Sequence, residues 1–160
     1  MQIYGYNREK ALEYAQKWAN GRNPTYFDFD SLGGDCTNFV SQCVYAGSGA
    51  MNYNPVSGWY YIGLNNRAPA WTGVPFFFDF MVSNSGRGPY GKECMKNELA
   101  EGDVIQLGDA LGGYYHSLLV TKIENDEIYI ATHTLDRWNY PLNNYLYANI
   151  RYIHIEGVRK

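Results

Sequence analysis

Charge is scarce in this sequence. Asp, Glu, Lys and Arg make up 18% of its 160 residues, against roughly a quarter in soluble domains. The formal net charge is −3, so no basic footprint points to a nucleic-acid partner or an anionic membrane surface. Long apolar runs are missing too. The longest, Val74-Pro75-Phe76-Phe77-Phe78, falls far short of the roughly 20 residues that cross a bilayer. Met1-Gln2-Ile3-Tyr4-Gly5 lacks the charged start and apolar stretch of a secretory leader. The expectation is no membrane partner. A place outside the cell or in its envelope requires a leader or neighbouring domain beyond this segment; otherwise the cytoplasm is expected. The three cysteines, Cys36, Cys43 and Cys94, cannot all pair and make no disulfide scaffold. No Cys-x-x-Cys spacing occurs, which argues against a closed structural zinc site.

Aromatics fill the gap that charge leaves. They reach 17%, with sixteen tyrosines, and hydrophobic residues reach 46%. A chain of this length and apolarity can bury one proper core. A single domain over 1–160, monomeric, is expected. Ala11, Tyr14, Ala15 and Trp18 recur as one helical face, with Asn7 as cap and Asn20-Gly21 as stop. Residues 22–34 read as loop. Cys36, Phe39, Val40, Cys43 and Val44 form the stripe of a second helix, with Asp35 placed to cap its start. A third helix is expected from Thr72 to about Val82, its Phe76, Phe77 and Phe80 in the core. After Gly102 the pattern changes to strands at 103–107, 114–123, 128–133 and 150–155. Helices first and an antiparallel meander second make an α+β fold.

Chemistry concentrates at few positions. Cys36 opens a helix, where the partial positive charge of the N-terminus lowers a thiol's pKa and favours the thiolate. Cys43, two turns deeper on the same stripe, reads as core, and Cys94 has no basic partner. A nucleophilic thiol needs a base, and there are only His116, His133 and His154. A tight turn at Asn125-Asp126 pairs Glu124 with Glu127 and Ile123 with Ile128. Counting outward puts Leu118 opposite His133. His116 and His133 then share a face as diagonal neighbours roughly 7–8 Å apart. The result is a relay: Cys36 as nucleophile, His116 as base, His133 as the group that orients it. Asp136 is the alternative orienter. The relay depends on register, because a slip of one residue breaks it. His154 has no partner in view. A second reading makes Cys36, His116 and His133 the ligands of a zinc hydrolase. A third takes Trp59-Tyr60-Tyr61 as the groove of a catalytically silent module that binds carbohydrate or cell wall.

The segments Asp35-Cys36-Thr37-Asn38-Phe39-Val40-Ser41-Gln42, Gly102-Asp103-Val104-Ile105 and Tyr115-His116-Ser117 resemble the bacterial "putative amidase domain". That group is similar to the papain-like cysteine hydrolases, alongside the NlpC-type and CHAP-type cell-wall enzymes. The resemblance runs from about Tyr6 to Ile155. It implies a papain-like fold, helices packed on a small antiparallel sheet, with a catalytic Cys36 at a helix start and His116 supplied by the sheet. It implies hydrolysis of an amide or peptide bond through a thioester, a peptidoglycan or peptide substrate, and no cofactor. Papain-like proteases place an oxyanion-binding Gln before the Cys, and Tyr26–Gly34 contains none. NlpC-type enzymes place beside the Cys an acid that helps bind a peptide amine, which suggests that role for Asp35.

Overall fold

A computed structural model describes residues 1–160. The chain opens with a short strand β1 (Ile3–Tyr4), then α1 (Arg8–Trp18) and α2 (Cys36–Ser48). A small hairpin follows, β2 (Tyr61–Gly63) and β3 (Asn66–Arg67), then α3 (Pro69–Thr72) and α4 (Val74–Ser83). The remaining strands are β4 (Gly88–Cys94), β5 (Val104–Gly108), β6 (Tyr114–Glu124), β7 (Glu127–Thr132), β8 (Arg137–Pro141) and β9 (Asn149–Arg159). Every pairing is antiparallel. The main sheet runs β1-β9-β5-β6-β7-β8, with β4 also on β9. The architecture is α+β, as the order of helices and strands predicts.

The local signals explain the helices. Asn7 Oδ1 accepts the Lys10 N–H at 3.0 Å and starts α1. Ala11 and Ala15 give it a flat buried face. Gly49, at φ 65°, closes α2 in a left-handed cap. Helix α2 is not an amphipathic surface helix: all its residues except Tyr45 and Ala46 are buried. It lies against β6 and is covered by α1 and α3. Two cores result. The larger joins helices to sheet through Phe39, Val40, Cys43, Trp71, Phe77 and Leu119. The smaller covers the sheet's other face with Ile105, Leu107, Leu118, Val120 and Ile130.

Several expectations change. The third helix begins at Val74, because Gly73 separates it from α3. Phe77 and Phe80 are buried, but Phe76 is exposed. Trp59 and Tyr60 are buried rather than lining a groove. Trp59 packs on Trp71 with ring centroids 4.7 Å apart, and its Nε1 donates to Ser41 Oγ at 3.0 Å. The aromatic groove of a binding module is therefore absent at this segment.

The β6–β7 hairpin decides which side chains meet. Asn125 and Asp126, at φ 53° and 62°, form the left-handed pair that a tight hairpin needs. Glu124, Ile123 and Lys122 pair with Glu127, Ile128 and Tyr129. Then Thr121 bulges out, and the register continues as Val120↔Ile130 and Leu119↔Ala131. One extra residue moves every later side chain to the other face. Counting on, Leu118 faces Thr132 and Ser117 faces His133. Thr132, not His133, shares a face with His116.

Candidate active site

Cys36 is the first residue of α2. Gly33 and Gly34 bring the chain into the helix at φ 91° and 102°, a region closed to most side chains. Asp35 holds the capping position but does not cap. Its carboxylate makes no hydrogen bond to the first turn. Oδ1 accepts the Phe29 N–H at 2.8 Å and the Asn38 Nδ2 at 2.9 Å. Oδ2 lies 2.5 Å from His133 Nδ1. The N–H groups of Cys36, Thr37 and Asn38 accordingly reach no carbonyl or side-chain oxygen in the chain. Asp35 is fully buried, so it has no surface to offer a substrate amine.

The remaining polar residues of this segment are all engaged. Thr37 Oγ1 bonds Ser117 Oγ at 2.9 Å. Ser117 Oγ also accepts from Gln106 Nε2 at 3.2 Å, and Gln106 Oε1 accepts from Arg151 Nε and Nη2 at 2.9 and 2.7 Å. Asn38 Oδ1 accepts from Trp71 Nε1 at 2.9 Å. Ser41 donates to the Trp71 carbonyl at 2.9 Å, and Gln42 accepts from Tyr14 at 2.6 Å. A helix buried on nearly all sides must satisfy its polar groups internally. Here those bonds fix the start of α2 against β6.

The expected electrostatics of Cys36 need correction. Burial pushes its thiol above the usual range. The N–H of Ser117 and the hydroxyl and N–H of Thr37 pull the other way without winning. Burial is the largest influence and Asp35 adds to it, so the resting group at neutral pH is a thiol. His116 is pulled down to about 4 by burial alone, so its imidazole is neutral at neutral pH. The sulfur therefore lies against the backbone of Ser117, the residue after His116. No hydrogen bond joins Sγ to the imidazole; the sulfur's side-chain partner is Thr37 Oγ1, at 3.8 Å.

His116 Nε2 is 3.5 Å from Thr132 Oγ1. That hydroxyl has one proton, directed at the carbonyls of Ser117 and His133, both at 3.0 Å. Towards His116 it can only accept. The tautomer that fits this acceptor has its proton on Nε2 and leaves Nδ1 as the free base.

His133 does not meet His116. It is buried and stacked on Phe39, with ring centroids 4.1 Å apart. Its Nε2 donates to the Trp18 carbonyl at 2.8 Å, and its Nδ1 faces Asp35. The bulge at Thr121 is the physical reason. Asp136 is also elsewhere, gripped by Arg22 through Nη1 and Nη2 at 2.8 and 3.0 Å. Arg22 further contacts Asp30 at 2.5 Å and Asp28 at 3.3 Å. His154, expected to be unpartnered, bonds Asp103 at 2.7 Å. Asp103 also accepts from Arg8 at 2.8 Å, which ties α1 to β5 and β9. Cys36, His116 and His133 do not converge, and no three His, Cys, Asp or Glu side chains are arranged to hold a metal ion.

Beside His116 lies an open pocket of about 310 Å³, bounded by Thr134, Leu135, Arg137, Tyr140, Asn144, Tyr145 and Leu146. The Tyr145 ring sits 6.0 Å from the His116 ring. At the other end, Thr134 Oγ1 accepts the Asp35 N–H at 3.4 Å. Thr134 and Leu135 adopt φ 68° and 57°, a strained conformation for a β-branched and a bulky residue. Leu135 and Leu146 are 77% and 95% exposed.

A family model described as "Putative amidase domain" matches residues 5–156. The chain is similar to "Uncharacterized protein YhbB" of Bacillus subtilis (strain 168), at 32% identity over 160 residues. That match covers 93% of this chain and 49% of the relative. It is similar as well to "Uncharacterized protein YjcM" of the same organism, at 27% identity over 147 residues, covering 87% of this chain and 33% of that protein. The chain thus spans about half the length of the first relative and a third of the second. No solved structure matches.

Proposed function

This chain belongs to the putative amidase domain family, and on that premise we propose that it hydrolyses amide bonds through a thioester on Cys36. The observation that carries the reading is the start of α2. A thiol stands at the first residue of a buried helix whose first-turn amides reach no oxygen of the chain, against the strand that bears His116. The fold assigned with this reading is papain-like.

His116 Nδ1 takes the proton from Sγ. The sulfur attacks the carbonyl carbon, a C–S bond forms, and negative charge collects on the carbonyl oxygen. The Cys36 N–H donates to that oxygen. Collapse breaks the C–N bond, and the imidazolium gives its proton to the departing amine. Water then loses a proton to His116 and attacks the thioester. The C–S bond breaks, a carboxylic acid leaves, and the sulfur recovers its proton. Thiol and imidazole both rest neutral, so proton transfer must accompany attack. Their separation at rest agrees with catalytic bonds that close only on substrate.

The substrate we assign is peptidoglycan peptide. The pocket beside His116 joins two exposed leucines, two tyrosines and an arginine without a carboxylate partner, surfaces suited to a peptide with apolar and acidic groups. Purified peptidoglycan and casein offered side by side test the assignment, with released ends identified by mass. New amine and carboxyl ends in the wall, with casein spared, support it. Rapid casein cleavage with an untouched wall removes the wall substrate and leaves a general cysteine hydrolase. No new ends in either removes hydrolysis itself.

A further inference from the structure

A carboxylate at the residue before a helix normally turns inward to accept the first-turn amides. Asp35 stands there and does the opposite. Its partner on the outward side is His133, 98 residues away in sequence, at 2.5 Å. Both groups are buried. The two ring nitrogens of His133 face two acceptors, the Asp35 carboxylate and the Trp18 carbonyl. Phe39 covers one ring face.

We propose that His133 is a positioning residue that holds the Asp35 carboxylate away from the start of α2, keeping the first-turn amides open to the negative charge that gathers at Cys36. The inference rests on Cys36 as the nucleophile. Without His133, only the Oδ1 bonds to the Phe29 N–H and Asn38 Nδ2 hold the carboxylate, and Oδ2 is released to turn towards the N–H groups of Thr37 and Asn38. It would then occupy the space an anion needs and set a like charge beside the sulfur. A neighbouring like charge disfavours the thiolate. Asp35 already opposes that form in the native arrangement.

Other charged groups around the pair do not replace His133. Arg22 Nε is 3.6 Å from Asp35 Oδ2, but its guanidinium is shared among Asp28, Asp30 and Asp136. Those three acids add negative charge on the same side. Tyr14, on α1, faces Asp35 as a phenol whose ionisation burial pushes well up. On β6, His116 is pulled down to about 4 and brings no positive charge at neutral pH.

The test is the pH profile of Cys36 alkylation by iodoacetamide, read on the Cys36 peptide by mass spectrometry so that Cys43 and Cys94 do not interfere. Wild type, His133→Gln and His133→Gln/Asp35→Asn are compared. The single variant is expected to react about tenfold more slowly at neutral pH, with its profile moved to the alkaline side by about one unit. The double variant, which has no carboxylate to restrain, should return to within about threefold of wild type. An unchanged profile in a folded His133→Gln overturns the proposal. So does a double variant as slow as the single one, since that pattern means packing alone was lost. Circular dichroism checks folding. If His133→Gln does not fold, nitrogen NMR of the wild-type imidazole at neutral pH decides: a hydrogen on Nδ1 supports the restraint, and a bare Nδ1 overturns it. Alkylation needs no hydrolysis, so wild-type turnover measured in parallel tests the proposed function separately.

Discussion

The hydroxyl of Thr132 stands 3.5 Å from Nε2 of His116, at the end of β7 where the chain leaves the sheet. Because its proton is directed at backbone carbonyls, this contact favours hydrogen on Nε2 of His116. Thr132→Val removes the acceptor but keeps the shape. It is expected to lower kcat about tenfold with KM little changed, as loss of orientation at a general base should. Thr132→Ser should stay near wild type. Steady-state kinetics on a released-amine assay distinguishes them. Equal losses in both variants would assign Thr132 to packing.

His116 sets the acid limb. Its imidazole must be neutral to act as base, and burial places that titration at about 4. The profile of kcat/KM should therefore hold through mild acid and fall as pH drops through about 4. A fall centred on the ordinary histidine range would mean that His116 is solvated or is not the base.

The same group makes a stability prediction. Its folded value lies below the usual 6.5, so the unfolded chain binds the proton first. Stability is full above the unfolded value, declines as pH falls below it, and this loss is complete below the folded value. The loss should be roughly 1–3 kcal/mol over that window. His116→Gln should flatten that part of the curve in urea titrations at stepped pH.

Cys43 provides the contrast to Cys36. It is fully buried in the larger core, and burial pushes its thiol well above the usual range. Cys43→Ala should cost roughly 1–3 kcal/mol in urea midpoints while turnover per folded molecule is kept. Lost turnover in a stable Cys43→Ala would make this sulfur part of the chemistry.

Short-range signals in the sequence are sufficient for the first two helix starts. Asn7 caps α1, Cys36 opens α2, and Asn125-Asp126 turns β6 into β7 with the expected pairs out to Lys122 and Tyr129. The register that selects the orienter of His116 slips at the next residue, Thr121. Nothing at Thr121 marks a bulge: there is no glycine, and its hydroxyl simply donates to Asn139 at 3.0 Å. Asp35 failed for the opposite reason. A local capping rule applies to its position, but a partner 98 residues away takes its carboxylate. Strand β4, with Gly88, Pro89 and Gly91, carries the residues that mark turns and pairs only with β9. The burial of the polar residues of α2 has no local signal, because their partners, Ser117, Trp71 and Tyr14, come from three other parts of the chain.

The central claim is a covalent bond between Cys36 and the acyl half of the substrate. Rapid acid quenching of wild type with soluble peptidoglycan fragments, followed by peptide mapping, measures it most directly. An acyl mass on the Cys36 peptide is expected, with amine release that runs ahead of acid release. Neither is expected in Cys36→Ala. Hydrolysis that persists in Cys36→Ala at more than a few per cent of the wild-type rate, with no adduct on the wild type, would contradict the claim.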